Sequence, residues 1–388
     1  MRSVYSSTDL YNLAVIKASR EWMKHGLILP EQEQAILQAH PSNLYHPNLI
    51  IRILLFIATS FALSGASGIF FLILGDVGEI GISIAALIAG IGSFVLVQRV
   101  LIIDGHHYKS GVVEAIIYHA SGYLIGGVAG LTDANEHVIL IACLLVLGYV
   151  AIVYIDLICT ALTVLVFAGL LFYECYELNG IFRQVIPFVI IIAFSGIYFL
   201  NRWWKSRPEG EEWHDVFVVV ESLSLLLIYA GGNYMVVREL SISLMNLSLV
   251  EGQDIPFAGM FYGLTAMVPI FFLYMGIKNR DIVLLRVSII ILAFSVFTFK
   301  YYFSLGRPEI TLTIAGAVLL AITGWLLAYL KTPRRGFTRE QLLAKKWDNV
   351  NLAGFVVSQT LGGNAEKPAE EFKGGGGQFG GGGASGSF

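Results

Sequence analysis

Apolar and polar positions along this chain fall into long blocks, not short alternations. About ten apolar runs lie between Ile50 and Leu330, separated by short polar loops. A helix needs roughly 20 apolar residues to cross a hydrocarbon core of about 30 Å. The runs predict spans at 53–74, 80–97, 112–130, 137–154, 157–174, 184–200, 215–235, 257–277, 282–299 and 310–330. After His137, the stretch 137–173 carries a single charge, Asp156. As one helix it would be about 55 Å long at 1.5 Å per residue, so it must break near Tyr154-Ile155-Asp156 into two crossings. The expected fold class is all-α, a polytopic integral membrane helical bundle of about ten transmembrane helices.

The loops between the runs set an orientation. Loops rich in Lys and Arg alternate with loops poor in them, and basic loops stay on the cytoplasmic side. With ten spans and a cytoplasmic N-terminus, most of the 25 Lys and Arg residues lie inside, and the outer loops keep only Arg183, Arg238, Lys300 and Arg307. Nine spans would move the basic loop 201–214 and the basic C-terminal segment outside. Both termini are therefore expected in the cytoplasm.

Composition agrees with the runs. The chain is 56% hydrophobic and 14% charged, with a mean hydropathy of +0.71, against about 25% charged residues in soluble domains. A net charge of −3 gives no general attraction to nucleic acid. The lipid bilayer is the expected surrounding. No signal peptide is visible, so the first span is expected to act as its own insertion signal.

Three flanking segments differ from the bundle at 50–330. Residues 1–49 read as a cytoplasmic amphipathic helical hairpin: Thr8-Asp9 caps a helix to about Lys24, His25-Gly26 ends it, and Pro30 opens a second helix through Gln38. Tyr11, Val15, Ala18 and Trp22 form a partial apolar stripe. Such a hairpin packs on the bundle or docks a partner. Residues 331–361 are basic and amphipathic, with a short helix capped by Thr338 and supported by Gln341. Residues 362–388 form a Gly-rich tail too costly in entropy to order alone. Within it, Phe379 and Phe388 are candidate docking points for a membrane or cytoplasmic protein.

The run from Arg20 to Leu37, with Trp22, Gly26-Leu27 and Glu31-Gln32-Glu33-Gln34, leads into Arg52 and the first span. It resembles the N-terminus of the bacterial membrane-protein family known as domain of unknown function 2157. That resemblance implies a bacterial inner-membrane location and supplies no catalytic residues. The ending Phe379 to Phe388 is similar to the Gly-rich ending of other bacterial membrane proteins, including those with the TPM domain, which commonly end in Trp where this chain has Phe388. It covers about the last 15 residues only. A shared ending on unrelated bodies implies that something reads the tail.

Ionisable residues within the spans are the first candidates for chemistry, because lipid penalises them. They are Arg52, Glu114, His119, Glu221 and Arg286. In the expected threading all five enter from the cytoplasmic side and sit within about 10 Å of it. They are expected to form one polar cluster. One reading is a cytoplasm-facing vestibule or proton relay, with Glu221 or Glu114 exchanging protons and His119 assisting. The other is structural: Arg52, Glu114 and Arg286 snorkel to the surface, and Glu221 pairs with Arg286.

Other features point away from chemistry. Cys143, Cys159 and Cys175 lie in or beside apolar runs without metal-ligand spacing and read as packing residues. His106-His107 alone makes a poor metal site. No esterase, zinc-protease or phosphate-loop motif occurs, and no cofactor or metal is expected. Gly65, Gly68, Gly81, Gly90, Gly92, Gly122, Gly126, Gly127 and Gly130 read as close-approach positions between helices. Prolines are scarce within the spans (Pro187 and Pro269), so continuous helices are expected. The function expected first is a non-enzymatic envelope component with cytoplasmic docking segments. The alternative is a transporter or channel for a small solute or proton, built around Glu221.

Overall fold

The computed structural model describes residues 3–178, 181–243 and 254–303, with isolated positions between 313 and 328. Only isolated positions of the tenth run, 310–330, fall among these residues. The segment 331–361 and the tail 362–388, with Phe379 and Phe388, lie outside them entirely. Among the described residues the protein is helical, and the only pairing of extended backbone is one bridge between Tyr45 and His107.

Two helices, α1 (Ser7–Lys24) and α2 (Pro30–Ala39), precede the bundle. The bundle comprises α3 (Leu49–Ile73), α4 (Gly78–Leu96), α5 (Val112–Leu131), α6 (Glu136–Val153), α7 (Leu157–Glu177), α8 (Ile181–Lys205), α9 (His214–Gly232), α10 (Tyr234–Ser243), α11 (Ala258–Asn279) and α12 (Ile282–Phe303). Beyond Leu96, α4 widens into a π-helix over Val97–Asp104. Nine helices among the described residues are long and apolar enough to cross a membrane. Their outer faces carry side chains such as Leu72 (81% exposed) and Phe61 (76% exposed). Water penalises such a surface, whereas lipid is its matching solvent.

Local sequence explains where the helices start. Ser6, Asn48, Asn135 and Asp156 each accept the backbone N–H three residues on. That satisfies an amide the helix leaves without a partner, which matters most near lipid. The cap of α1 is therefore Ser6 and not Thr8 or Asp9. Asp156 ends the long apolar stretch as expected: α6 stops at Val153, Ile155 takes a left-handed φ of 54°, and α7 starts at Leu157.

Adjacent helices pack through small residues at a few points. A Cβ at Gly127 would stand 2.8 Å from the Ser83 carbonyl, and one at Gly90 would stand 3.0 Å from the Ala120 carbonyl, so α4 and α5 touch through their backbones. Gly65, Gly68, Gly92, Gly122 and Gly126 have open space beside them. The expectation that all these glycines serve close approach is thus corrected: helix rotation turns only some of them toward a neighbour.

The N-terminal segment seals one end of the bundle. The Val4 amide donates to Val153 O at 3.0 Å, and Tyr5 is buried against Tyr108 with ring centroids 4.9 Å apart. Burial pushes the Tyr5 phenol up, and the carboxylates of Glu114 and Asp156 push it further. The Trp213 indole donates to Ile152 O at 2.8 Å. Of the stripe read from sequence, Val15 and Ala18 are half-buried, Tyr11 and Trp22 are exposed, and the Tyr11 ring lies 6.0 Å from that of His40 at the end of α2.

Candidate functional site

Polar groups inside the bundle gather at its two ends. At the end that carries α1, α5 begins after Gly111, whose φ is +88°. A Cβ there would overlap the Arg52 carbonyl of α3, so glycine is needed for both its conformation and its contact. Glu114, three residues on, folds back and accepts the Gly111 amide through Oε2 at 2.7 Å. Its Oε1 meets the Arg52 guanidinium at 2.6 Å. One turn further, the Tyr118 hydroxyl donates to Asp156 Oδ2 at 2.9 Å and joins α5 to α7. His119 Nδ1 donates to the Ala115 carbonyl at 2.8 Å, which leaves Nε2 as the acceptor for the Ser64 hydroxyl at 3.3 Å.

At the same end, α8, α9 and α12 meet around Glu221. This carboxylate is 1% exposed. Lys205 Nζ donates to its Oε2 at 2.8 Å, and Arg202 lies 3.4 Å from its Oε1. Arg202 also donates to the Tyr198 hydroxyl at 3.0 Å and pairs with Asp281. Asp281 Oδ1 in turn accepts the amides of Val283 and Leu284 and caps α12. Burial works to raise the Asp281 carboxyl, but the Leu284 amide and Arg202 outweigh it and hold it below the usual carboxylate value. Two cations and two carboxylates thus tie three helices together.

The opposite end holds a network without charge at its centre. The predicted span 215–235 breaks at Asn233, whose extended φ/ψ of −81°/123° separates α9 from α10. Asn233 is 0% exposed. Its Nδ2 donates to the Tyr229 hydroxyl at 2.9 Å and to Thr298 Oγ1 at 3.1 Å, while its Oδ1 accepts the Val236 amide at 3.2 Å. Thr265 of α11 accepts the freed Tyr234 amide at 2.9 Å. The Tyr234 ring stacks on Tyr262 at 4.1 Å, and both hydroxyls donate to Asp254. Burial favours the protonated Asp254, but these hydrogen bonds prevail and lower its pKa.

The five residues expected in one cluster therefore separate into distinct contacts. Of the pairs among them, Arg52–Glu114 forms an ion pair. Glu221 pairs with Arg202 and Lys205, and the expected contact with Arg286 is absent because Arg286 lies exposed on the outer side of α12. The physical reason is helix length. The sequence placed 201–214 in a loop, whereas α8 runs on to Lys205 and carries both cations beside α9. Asn233 went unnoticed too, although Gly231-Gly232-Asn233 is a helix-breaking signal. Compared with known proteins, the chain matches no family model, no curated protein and no solved structure.

Proposed function

We propose that the chain is a non-enzymatic component of the bacterial inner membrane, crossing it ten times with both termini in the cytoplasm and docking partners through its N-terminal hairpin or Gly-rich tail. One observation carries this reading. The most buried carboxylate among the described residues, Glu221, is neutralised by Arg202 and Lys205 and closed off at 1% exposure, as suits a helix clasp and not a proton carrier. The balance of Lys and Arg among the loops supports the orientation. The resemblance to domain of unknown function 2157 supports the inner-membrane placement.

Copurification from native membranes in mild detergent tests the reading, comparing the full chain with one truncated after Lys373. A stoichiometric partner that is lost on truncation is the expected result. If both forms purify alone, docking through the tail is excluded.

A second reading, transport of a small solute or proton, is favoured by the break between α9 and α10. Discontinuous helices with buried polar groups are a recurrent device in transporters, and Asn233 stands at such a break. Reconstituted vesicles decide between the two. Flux by the unaltered chain above that of empty vesicles favours transport, and no flux above empty vesicles favours the scaffold.

A further inference from the structure

Along α1, Leu10, Leu13, Ala14, Lys17, Arg20 and Lys24 recur at spacings of three and four and so share one face. The face is apolar toward the helix start and basic toward its end. Together with Leu49 and Arg52 of α3 and with Lys109, it lines a cavity of about 550 Å³. Lys109 reaches it from a loop in which both His106 and Lys109 take left-handed backbone, a conformation that residues other than glycine disfavour.

Charge in the cavity is unbalanced. Glu21 and Asp215 also line it, and Arg52 is committed to Glu114. Lys17, Arg20, Lys24 and Lys109 remain. Among the described residues none of these four is in an ion pair, and Lys17, Arg20 and Lys24 are exposed. The cations therefore outnumber the two carboxylates, and the cavity suits an anion.

Its position narrows the anion. The cavity sits where α3 begins its crossing, and α3 has no buried residue, which places it at the bundle rim beside lipid. Leu49 is 65% exposed there. On the same hairpin, Trp22, Leu27 and Leu29 are exposed, and Trp beside cations is characteristic of side chains at a membrane interface. Leu10, Leu13 and Leu49 give the cavity an apolar wall that a free phosphate cannot use but a glycerol backbone and its first methylenes can.

We propose that this cavity holds the headgroup of a net-anionic phospholipid, its phosphate among Lys17, Arg20, Lys24 and Lys109 and its acyl chains along α3. The site rests on the membrane placement of the nine apolar helices. It is independent of whether the protein is a scaffold or a transporter.

Native mass spectrometry of the full chain in a neutral detergent tests the site. The probes are phosphatidylglycerol, phosphatidylcholine and inorganic phosphate. Phosphatidylglycerol is expected to bind at least about tenfold more tightly than phosphatidylcholine, since each nearby Lys or Arg strengthens attraction to an anionic lipid about fivefold. Excess inorganic phosphate should leave it bound. The triple variant Lys17→Gln, Arg20→Gln, Lys24→Gln should reduce its binding to the phosphatidylcholine level. Equal binding of the two lipids by the unaltered chain overturns the proposal whether or not the variant folds. Displacement by inorganic phosphate shows a free-phosphate site instead and overturns it as well, as does a folded triple variant that keeps the preference.

Discussion

Lys205 Nζ stands 2.8 Å from Glu221 Oε2, so a cation at the last turn of α8 neutralises the most deeply buried carboxylate among the described residues of α9. Arg202, one turn earlier, shares the carboxylate and extends the contact to Asp281. Both cations sit at a helix C-terminus, where the backbone dipole favours them. Their side chains remain partly exposed, at 40% for Arg202 and 25% for Lys205, so the buried carboxylate carries most of the desolvation.

Removing one charge from this contact should cost more than removing two. Lys205→Met leaves Glu221 buried with Arg202 alone, 3.4 Å away and shared with Asp281, and is expected to destabilise the protein by about 2–4 kcal/mol. Adding Glu221→Gln should return part of that loss. A double-mutant cycle of unfolding in detergent measures the coupling, and strict additivity of the two changes would contradict the contact.

Asn233 offers a similar test at the other end. Asn233→Leu removes the acceptor of the Val236 amide and one of the hydrogen bonds of Tyr229 and of Thr298 in a site closed to water, although Thr298 keeps its bond to Phe294 O. The orphaned amide costs about 1–3 kcal/mol and each lost hydrogen bond about 0.5–1.5 kcal/mol, so a loss of at least about 2 kcal/mol is expected in the thermal or denaturant unfolding of the purified protein. A change within about 0.5 kcal/mol would show that the network does not hold the helix break.

The Asp281 cap predicts a pH dependence. Its folded pKa lies below the usual value, so its contribution to stability is present above the unfolded value of about 3.9 and is lost as pH falls through the folded one. The melting temperature of the unaltered protein should exceed that of Asp281→Asn at pH 6, and the gap should close as pH falls below about 4. A gap that widens on acidification would reverse the sign and exclude the assignment.

Two neighbouring glycines should answer differently to the same change. Gly127→Ala drives a Cβ against the Ser83 carbonyl of α4 and is expected to destabilise by about 1–3 kcal/mol. At Gly126 nothing lies within 4 Å, so Ala there should be neutral or slightly stabilising through its helix propensity. Unfolding measurements on the pair settle whether α4 and α5 pack as described.

Much of the fold was legible because it follows from local composition. The helix at 112–131 coincides with its apolar run to within a residue, and α6 and α7 separate at Asp156, the one polar residue able to cap the second of them. The break at Asn233 is hidden in hydropathy because the continuous apolar run around it outweighs the Gly231-Gly232-Asn233 signal. The reach of α8 to Lys205 is hidden in the same way, because Arg202 and Lys205 look like loop residues when hydropathy alone draws the boundary.

Long apolar helices suited to a bilayer follow from the amino-acid order alone. Length, hydropathy and capping are properties of a segment and do not depend on its neighbours. The same order singles out Arg52, Glu114, His119, Glu221 and Arg286 as the charges and histidine to explain. Their partners come from the packed bundle: Arg52 with Glu114, His119 with Ser64, Glu221 with Arg202 and Lys205, and Arg286 outward. A partner depends on how each helix is rotated and which helix lies beside it. Packing across the whole bundle sets both, through contacts such as Gly127 against Ser83 and Asn233 against Thr298 that join residues far apart in the chain.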